Sequence, residues 1–172
     1  ACKDKPHIIV VDNASTNESV AKLRTIFPDL DLVGSPVNGG FSAGNNIGIK
    51  KALKMGAQVI YLLNNDTEVD SNLFFRSYRY VAGKNRIAGA KIYYAKGYEY
   101  HSAQKGKGKV LWFAGGYTDW ANVQSIHRGV DEVDHGQYDT TEKIDFASGC
   151  CMLFKREVLE KVGFFDDRYF LY

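Results

Sequence analysis

Long apolar runs are absent from this sequence. Its longest are strand-sized, far short of the ~20 residues that span a bilayer. No secretory pattern opens the chain either, so it is expected to be soluble and cytoplasmic, with the inner face of a membrane as a peripheral contact at most. Cysteine is scarce: Cys2, Cys150 and Cys151 are odd in number, two are adjacent, and no spacing suits a zinc site or a disulfide framework. That agrees with a reducing compartment, with Cys150 and Cys151 serving as small apolar strand residues. A dominant charge is also missing. Twenty-two Lys and Arg against 20 Asp and Glu leave +2, too little to argue for a nucleic-acid partner. His101, His127 and His135 lack ligand spacing, and neither G-x-G-x-x-G nor a Walker A lysine occurs, which removes the dinucleotide and P-loop readings. The N-x-S/T triplets at Asn13, Asn17 and Asn65 find no support from a secretory route. With 172 residues, 45% of them hydrophobic, the chain suits one soluble domain with a real core.

What is present is a repeated pattern of an apolar strand ending in polar groups. Val59-Ile60-Tyr61-Leu62-Leu63 reads as a strand buried on both faces, and Asn64-Asn65-Asp66 then stand at its carboxyl end. Ligands bind at that rim in open α/β sheets, and hard oxygen donors there suit Mg²⁺ or Mn²⁺ holding a phosphate. The plainer reading is a polar turn capping the next helix. Residues 7–11 repeat the pattern, ending in Asp12-Asn13. Ser15 or Thr16 can cap a helix that turns Val20, Leu23, Ile26 and Phe27 inward and stops at Pro28. After a strand at 30–33, Asn38-Gly39-Gly40-Phe41 allows a tight turn into a helix starting near Ser42, whose free N–H groups favour an anion; a glycine-rich connection without a ligand fits equally. That helix runs through Ile47, Ile49, Ala52 and Leu53 to Gly56. A further helix carries Leu73, Phe74, Tyr78 and Val81, and a strand covers 87–93. This alternation predicts an α/β fold of right-handed βαβ units on a parallel sheet.

The pattern changes beyond Tyr93. Residues 96–138 show short β-like runs and no clear helix. The segment 104–109 reads as a solvated loop, or as a cradle for an anionic acceptor or lipid phosphate. Trp112 and Trp120 suit either a sugar site or core packing. Residues 143–155 read as strand, Ser148-Gly149 break and strand, followed by a short helix at 156–162 ended by Gly163.

Five motifs in order, Val10-Val11-Asp12-Asn13-Ala14-Ser15, Asn38-Gly39-Gly40-Phe41 with Asn45-Asn46-Ile47-Gly48, Leu62-Leu63-Asn64-Asn65-Asp66, Phe146-Ala147-Ser148-Gly149 and Gly163-Phe164-Phe165-Asp166-Asp167, resemble family 2 glycosyltransferases. They are most similar to the bacterial rhamnosyltransferase-like branch, with its role in cell-wall or polysaccharide biosynthesis. The resemblance implies a GT-A fold across 1–172: a Rossmann-like, mostly parallel nucleotide-sugar half, 1–93, and a mixed, β-rich acceptor half, 94–172. It implies inverting, metal-assisted transfer from a UDP- or dTDP-sugar, dTDP-rhamnose among them, to a glycan or lipid-linked acceptor. Asp66 would bind the divalent cation, Mg²⁺ or Mn²⁺, that bridges the leaving diphosphate. Asp12, Asn13, Asn38, Gly40, Asn45, Asn64 and Asn65 would line the nucleotide sugar, and Ser148, Gly149 and Asp166 the acceptor side. Asn64 replaces the first carboxylate of the family's D-x-D, and Asn45 stands where many relatives carry an arginine. An opening strand with a T-Y-N-like segment and a Glu-Asp pair bearing the general base are expected to lie beyond the two ends, so the chain is expected to be an excised, catalytically incomplete core. The alternatives are a non-catalytic nucleotide-sugar or glycan-binding module, and a receiver-like phosphoacceptor domain. The second needs an acidic cluster near Asp12 and a late lysine in a regular repeat, and neither occurs.

Overall fold

The computed structural model describes residues 6–84, 86–99 and 109–171. Cys2, His101, the stretch 1–5 and the loop residues 104–108 lie outside them. In chain order the elements are β1 (Ile9–Asp12), α1 (Ser19–Ile26), β2 (Asp31–Gly34), α2 (Gly40–Lys54), β3 (Val59–Leu63), α3 (Leu73–Val81) and β4 (Ile87–Gly89). There follow β5 (Ile92–Tyr93), β6 (Leu111–Phe113), β7 (Gly116–Asp119), β8 (Gln124–His127), β9 (Cys151–Lys155) and α4 (Arg156–Val162). The chain divides into two compact units, Ala1–Ile60 with Phe154–Tyr172, and Tyr61–Leu153.

In the first unit β1 and β2 run parallel, from Ile9 opposite Asp31 to Asp12 opposite Gly34, as a βαβ connection requires. α2 lies close against β1 because Gly48 has no side chain; a Cβ there would come within 3.0 Å of Val11 Cγ2. Ile49 is fully buried on α2, and Val158 and Leu159 are buried on α4. At the start of β2, Asp31 pairs with Lys51 and with His7, and the Lys51 ammonium is the main reason its carboxyl sits below the usual range. α1 begins one turn later than the sequence suggests. Neither Ser15 nor Thr16 caps it; the Asn17 side chain accepts the Ser19 N–H at 3.0 Å instead. Ile26 and Phe27, expected inside, are exposed, since eight residues make just over two turns and cover only part of that stripe.

β3 and β9 each cross the division between the units and belong, with β4, to a three-stranded sheet ordered β3-β9-β4; the second unit also holds two antiparallel pairs, β5-β6 and the hairpin β7-β8. Leu111, Phe113 and Leu153 are its most buried strand residues. β3 alternates rather than being covered on both faces: Ile60 and Leu62 are buried, while the half-buried Tyr61 hydrogen-bonds Ser77 at 2.8 Å and meets the Phe74 ring edge to face. Burial pushes the Tyr61 phenol up to about 12. Cys151 is buried in β9 and Cys150 half-buried before it, both as free thiols, which fits their expected packing role.

Instead of one mostly parallel sheet, the described strands pair in four small ones. After Tyr93 helical crossovers are lost, and β7 and β8 pair antiparallel across a short turn. The strand expected over 87–93 divides between two sheets, and 143–147 forms a single bridge, Gly116 with Phe146, rather than a strand. No helix among the described residues is long and apolar enough to cross a membrane.

Candidate functional site

The expected site residues fall into one cluster in each unit. In the first unit, Asp12 ends β1, and its carboxylate accepts the Ser15 N–H at 3.3 Å across a turn in which Ala14 takes the left-handed conformation, φ 62°. Asn13 follows and acts as a clasp. Its amide donates to Asn38 Oδ1 at 3.0 Å and to the Gly40 carbonyl at 2.9 Å, and accepts the Gly39 N–H at 3.1 Å. Asn38 in turn accepts the Gly40 N–H at 3.1 Å. The structure therefore brings Asn13, Asn38 and Gly40 together directly, beside Asp12. Asn45 is not part of this group: its amide folds back onto the Phe41 carbonyl of its own helix at 2.9 Å.

The start of α2 is not the open anion site that its glycines suggested. The Gly39 and Gly40 N–H groups go to Asn13 and Asn38, and the Phe41 N–H donates to the Phe170 carbonyl at 2.7 Å. Gly40 uses its freedom, φ 77°, for a close approach of the chain to itself, because a Cβ there would lie 2.1 Å from the Phe170 oxygen. The segment that includes Phe165 to Phe170 is thus strapped to α2. A second residue holds it, one that the sequence reading left out of the site. Asn46, only 2% exposed, donates to the Phe165 carbonyl at 2.8 Å and to the Asp167 carboxylate, and accepts the Phe165 N–H at 3.1 Å. Its signal was positional: Ser42, Asn46 and Ile49 share one helical face, so a polar residue sits where a stripe facing inward continues. Asp166 is gripped by Arg168, which holds its carboxyl down at about 2.

The second cluster surrounds the end of β3. The Asn64 N–H donates to the Cys150 carbonyl at 3.0 Å, and the Thr67 hydroxyl closes the turn on the Asn64 carbonyl at 2.7 Å. The neighbouring loop is folded on itself, with the Cys150 N–H on the Ser148 hydroxyl at 3.2 Å. Burial, then the Asp66 charge, raises the Cys150 thiol, so Asp66, Ser148, Gly149 and Cys150 lie around one strand end. Asn64, Asn65 and Asp66 are exposed, and the Asp66 carboxylate accepts no hydrogen bond and enters no ion pair among the described residues. These residues do form a turn, but they do not cap α3. No side chain caps α3, and just before it the Asp70 carboxylate accepts the Asn72 N–H at 2.9 Å.

The remaining aromatic and histidine candidates separate clearly. Trp112 packs beside Phe113, and His127 is wedged edge-on against Trp112 and Phe113 and tilted against Phe146, at ring distances of 5.5, 5.0 and 5.9 Å, a packing role. Trp120 is 79% exposed next to the β7-β8 turn. Among the described residues no three His, Cys, Asp or Glu groups gather as a ready-made metal cage.

Comparison with known proteins gives two positive findings. The chain is 25% identical over 166 residues to the low-salt glycan biosynthesis hexosyltransferase Agl10 of Haloferax volcanii, a match covering 95% of this chain and 49% of that protein. The chain thus spans about half the length of the curated relative it matches. No solved structure matches it. The model of the family described as glycosyl transferase family 2 matches residues 2–163, a span that contains the Asp12–Asn13 clasp, the Asn64–Asp66 turn and the Ser148–Cys150 loop, and the chain belongs to that family.

Proposed function

We propose that this chain is the core of an inverting transferase that moves a sugar from a UDP- or dTDP-sugar onto a glycan or lipid-linked acceptor. The observation that carries this is Asp66: an exposed carboxylate at the carboxyl end of a strand, engaged by no described side chain, in a family whose members transfer sugars. The order β1-α1-β2-α2-β3, with its parallel β1-β2 pair, supports a GT-A arrangement for the nucleotide half, and the name of the Haloferax volcanii relative supports a hexose as the sugar.

The residues present fit a divalent cation. Mg²⁺ keeps several waters and is held by one or two carboxylates together with substrate phosphates, so a lone carboxylate flanked by amide oxygens suffices. Asp66 would hold it, with Asn64 and Asn65 beside it, and the ion when bound would supply positive charge against the diphosphate that leaves. The chain's own groups do the rest. The Asn64 N–H bond to Cys150 fixes the strand end beside the Ser148-Gly149 loop, which limits where Asp66 points. The Asn13 clasp fixes the loop from Asn38 to Gly40, next to which Asp12 is assigned the base or ribose of the nucleotide. Asp166 and Asp167 are not proposed as the base that deprotonates the acceptor. A general base works best with a pKa near the working pH, whereas Asp166 is held at about 2 and Asp167 is committed to Asn46.

Saturation-transfer NMR on the purified chain tests the proposal. UDP or dTDP signals that grow on adding Mg²⁺ and disappear in Asp66→Ala support it. Glycan signals that ignore Mg²⁺, with no nucleotide signal, would instead favour a glycan-binding module.

A further inference from the structure

The exposed side of α3 carries a pattern that sugar transfer does not use. Leu73, Phe74, Ser77 and Val81 form the covered face of this helix. Outside that face, Phe75 points away from it while Tyr78 and Tyr80 stand on its two opposite borders, the three being 48%, 44% and 47% exposed. Tyr78 was expected to face inward and does not. Interleaved with these rings are Arg76 and Arg79, and the turn that follows adds Lys84 and Arg86, all four exposed. None of the four makes an ion pair or a side-chain hydrogen bond among the described residues, and no Asp or Glu occurs between positions 71 and 98. In a chain of net charge +2, this places four unpaired cations on one short helix and its turn.

We propose that α3 and its following turn form a docking surface for an anionic lipid bilayer. Charge complementarity selects the occupant: guanidinium groups on flexible stems reach headgroup phosphates, while amphipathic rings settle at the boundary between headgroups and acyl chains. A nucleic acid would also meet the cations. A duplex would engage the cations and leave the half-exposed rings in water, so it is the less suited partner. The surface lies in the same unit as Asp66 and leads on from its turn, which suits an acceptor presented at a membrane. The docking itself does not depend on the transferase reading.

Co-sedimentation of the chain with vesicles of equal parts phosphatidylglycerol and phosphatidylcholine, against pure phosphatidylcholine, reads the contact directly. Each cation near an anionic surface is worth about fivefold in partitioning. Arg76→Gln with Arg79→Gln should therefore weaken binding about 30-fold, and Lys84→Gln, outside the helix, about fivefold. Phe75→Ser with Tyr78→Ser should weaken it as well, and 0.5 M salt should abolish it. Circular dichroism and melting temperature of the variants should match the parent, because every substituted side chain is exposed. Failure to bind either vesicle, equal binding to both, indifference to the arginine pair, or tighter binding to a mixed-sequence DNA duplex would each overturn the proposal.

Discussion

Replacing Asn46 with alanine removes a buried amide that ties α2 to the Phe165–Asp167 segment. Three hydrogen bonds are lost, two to the Phe165 backbone and one to the Asp167 carboxylate. Neutral bonds contribute about 1 kcal/mol each and a charged one about 2, reduced here because the exposed Asp167 regains water, so the expected destabilisation is about 3 kcal/mol. With a urea slope of about 2 kcal/mol per M, the first unit's transition should move down by about 1.5 M. Because the chain divides into two units, amide exchange, which reads each site by itself, gives the sharper readout. The Phe165 N–H, which donates to Asn46, should exchange about 100-fold faster in the variant. The Phe41 N–H should loosen with it, since its acceptor is Phe170 on the same strap. Asp167→Ala, which removes only the charged bond, should do much less. A transition displaced by under about 0.5 kcal/mol, with Phe165 exchange unchanged, would refute the clamp.

Gly40→Ala should cost at least about 2 kcal/mol and release the same strap, because the left-handed backbone and a Cβ pressed on the Phe170 carbonyl both oppose it; urea denaturation checks this. Asp134 provides a pH test in the second unit. The Lys91 ammonium and the Tyr93 hydroxyl hold its carboxyl at about 2, below the ordinary 3.8. A depressed carboxylate contributes fully above its unfolded value and loses that contribution as pH falls from about 4 toward 2, here about 2 kcal/mol. Urea midpoints at pH 5 and pH 2.5 should therefore fall further for the parent than for Asp134→Asn, and parallel falls would contradict the assignment.

The sequence made the alternation of strands and helices up to α3 legible, because 3.6-residue and unbroken apolar patterns mark them directly. Its limits lie where tertiary partners decide. Gly39 and Gly40 carry the same local signature whether a phosphate or Phe170 fills the space above them, and only the fold tells which. Tyr78 fits the helical stripe by spacing, yet the face closes on Phe74, Ser77 and Val81 and leaves it outside. Strand 87–93 reads as continuous, but no local feature marks its division between two sheets. The Asn64–Asp66 turn is readable because an apolar strand that stops abruptly at Asn and Asp leaves the sheet in a polar turn. Asn46 was not, since a polar residue within a helix names no partner 119 positions away.

The central claim is that Asp66 holds a divalent cation against a nucleoside diphosphate, and isothermal titration of the chain with UDP and dTDP tests it most directly. Binding should require Mn²⁺ or Mg²⁺, vanish in Asp66→Ala, and leave that variant's stability within about 0.5 kcal/mol of the parent, as befits an exposed side chain. Nucleotide binding of equal strength with the metal chelated, or unaltered in Asp66→Ala, would contradict it.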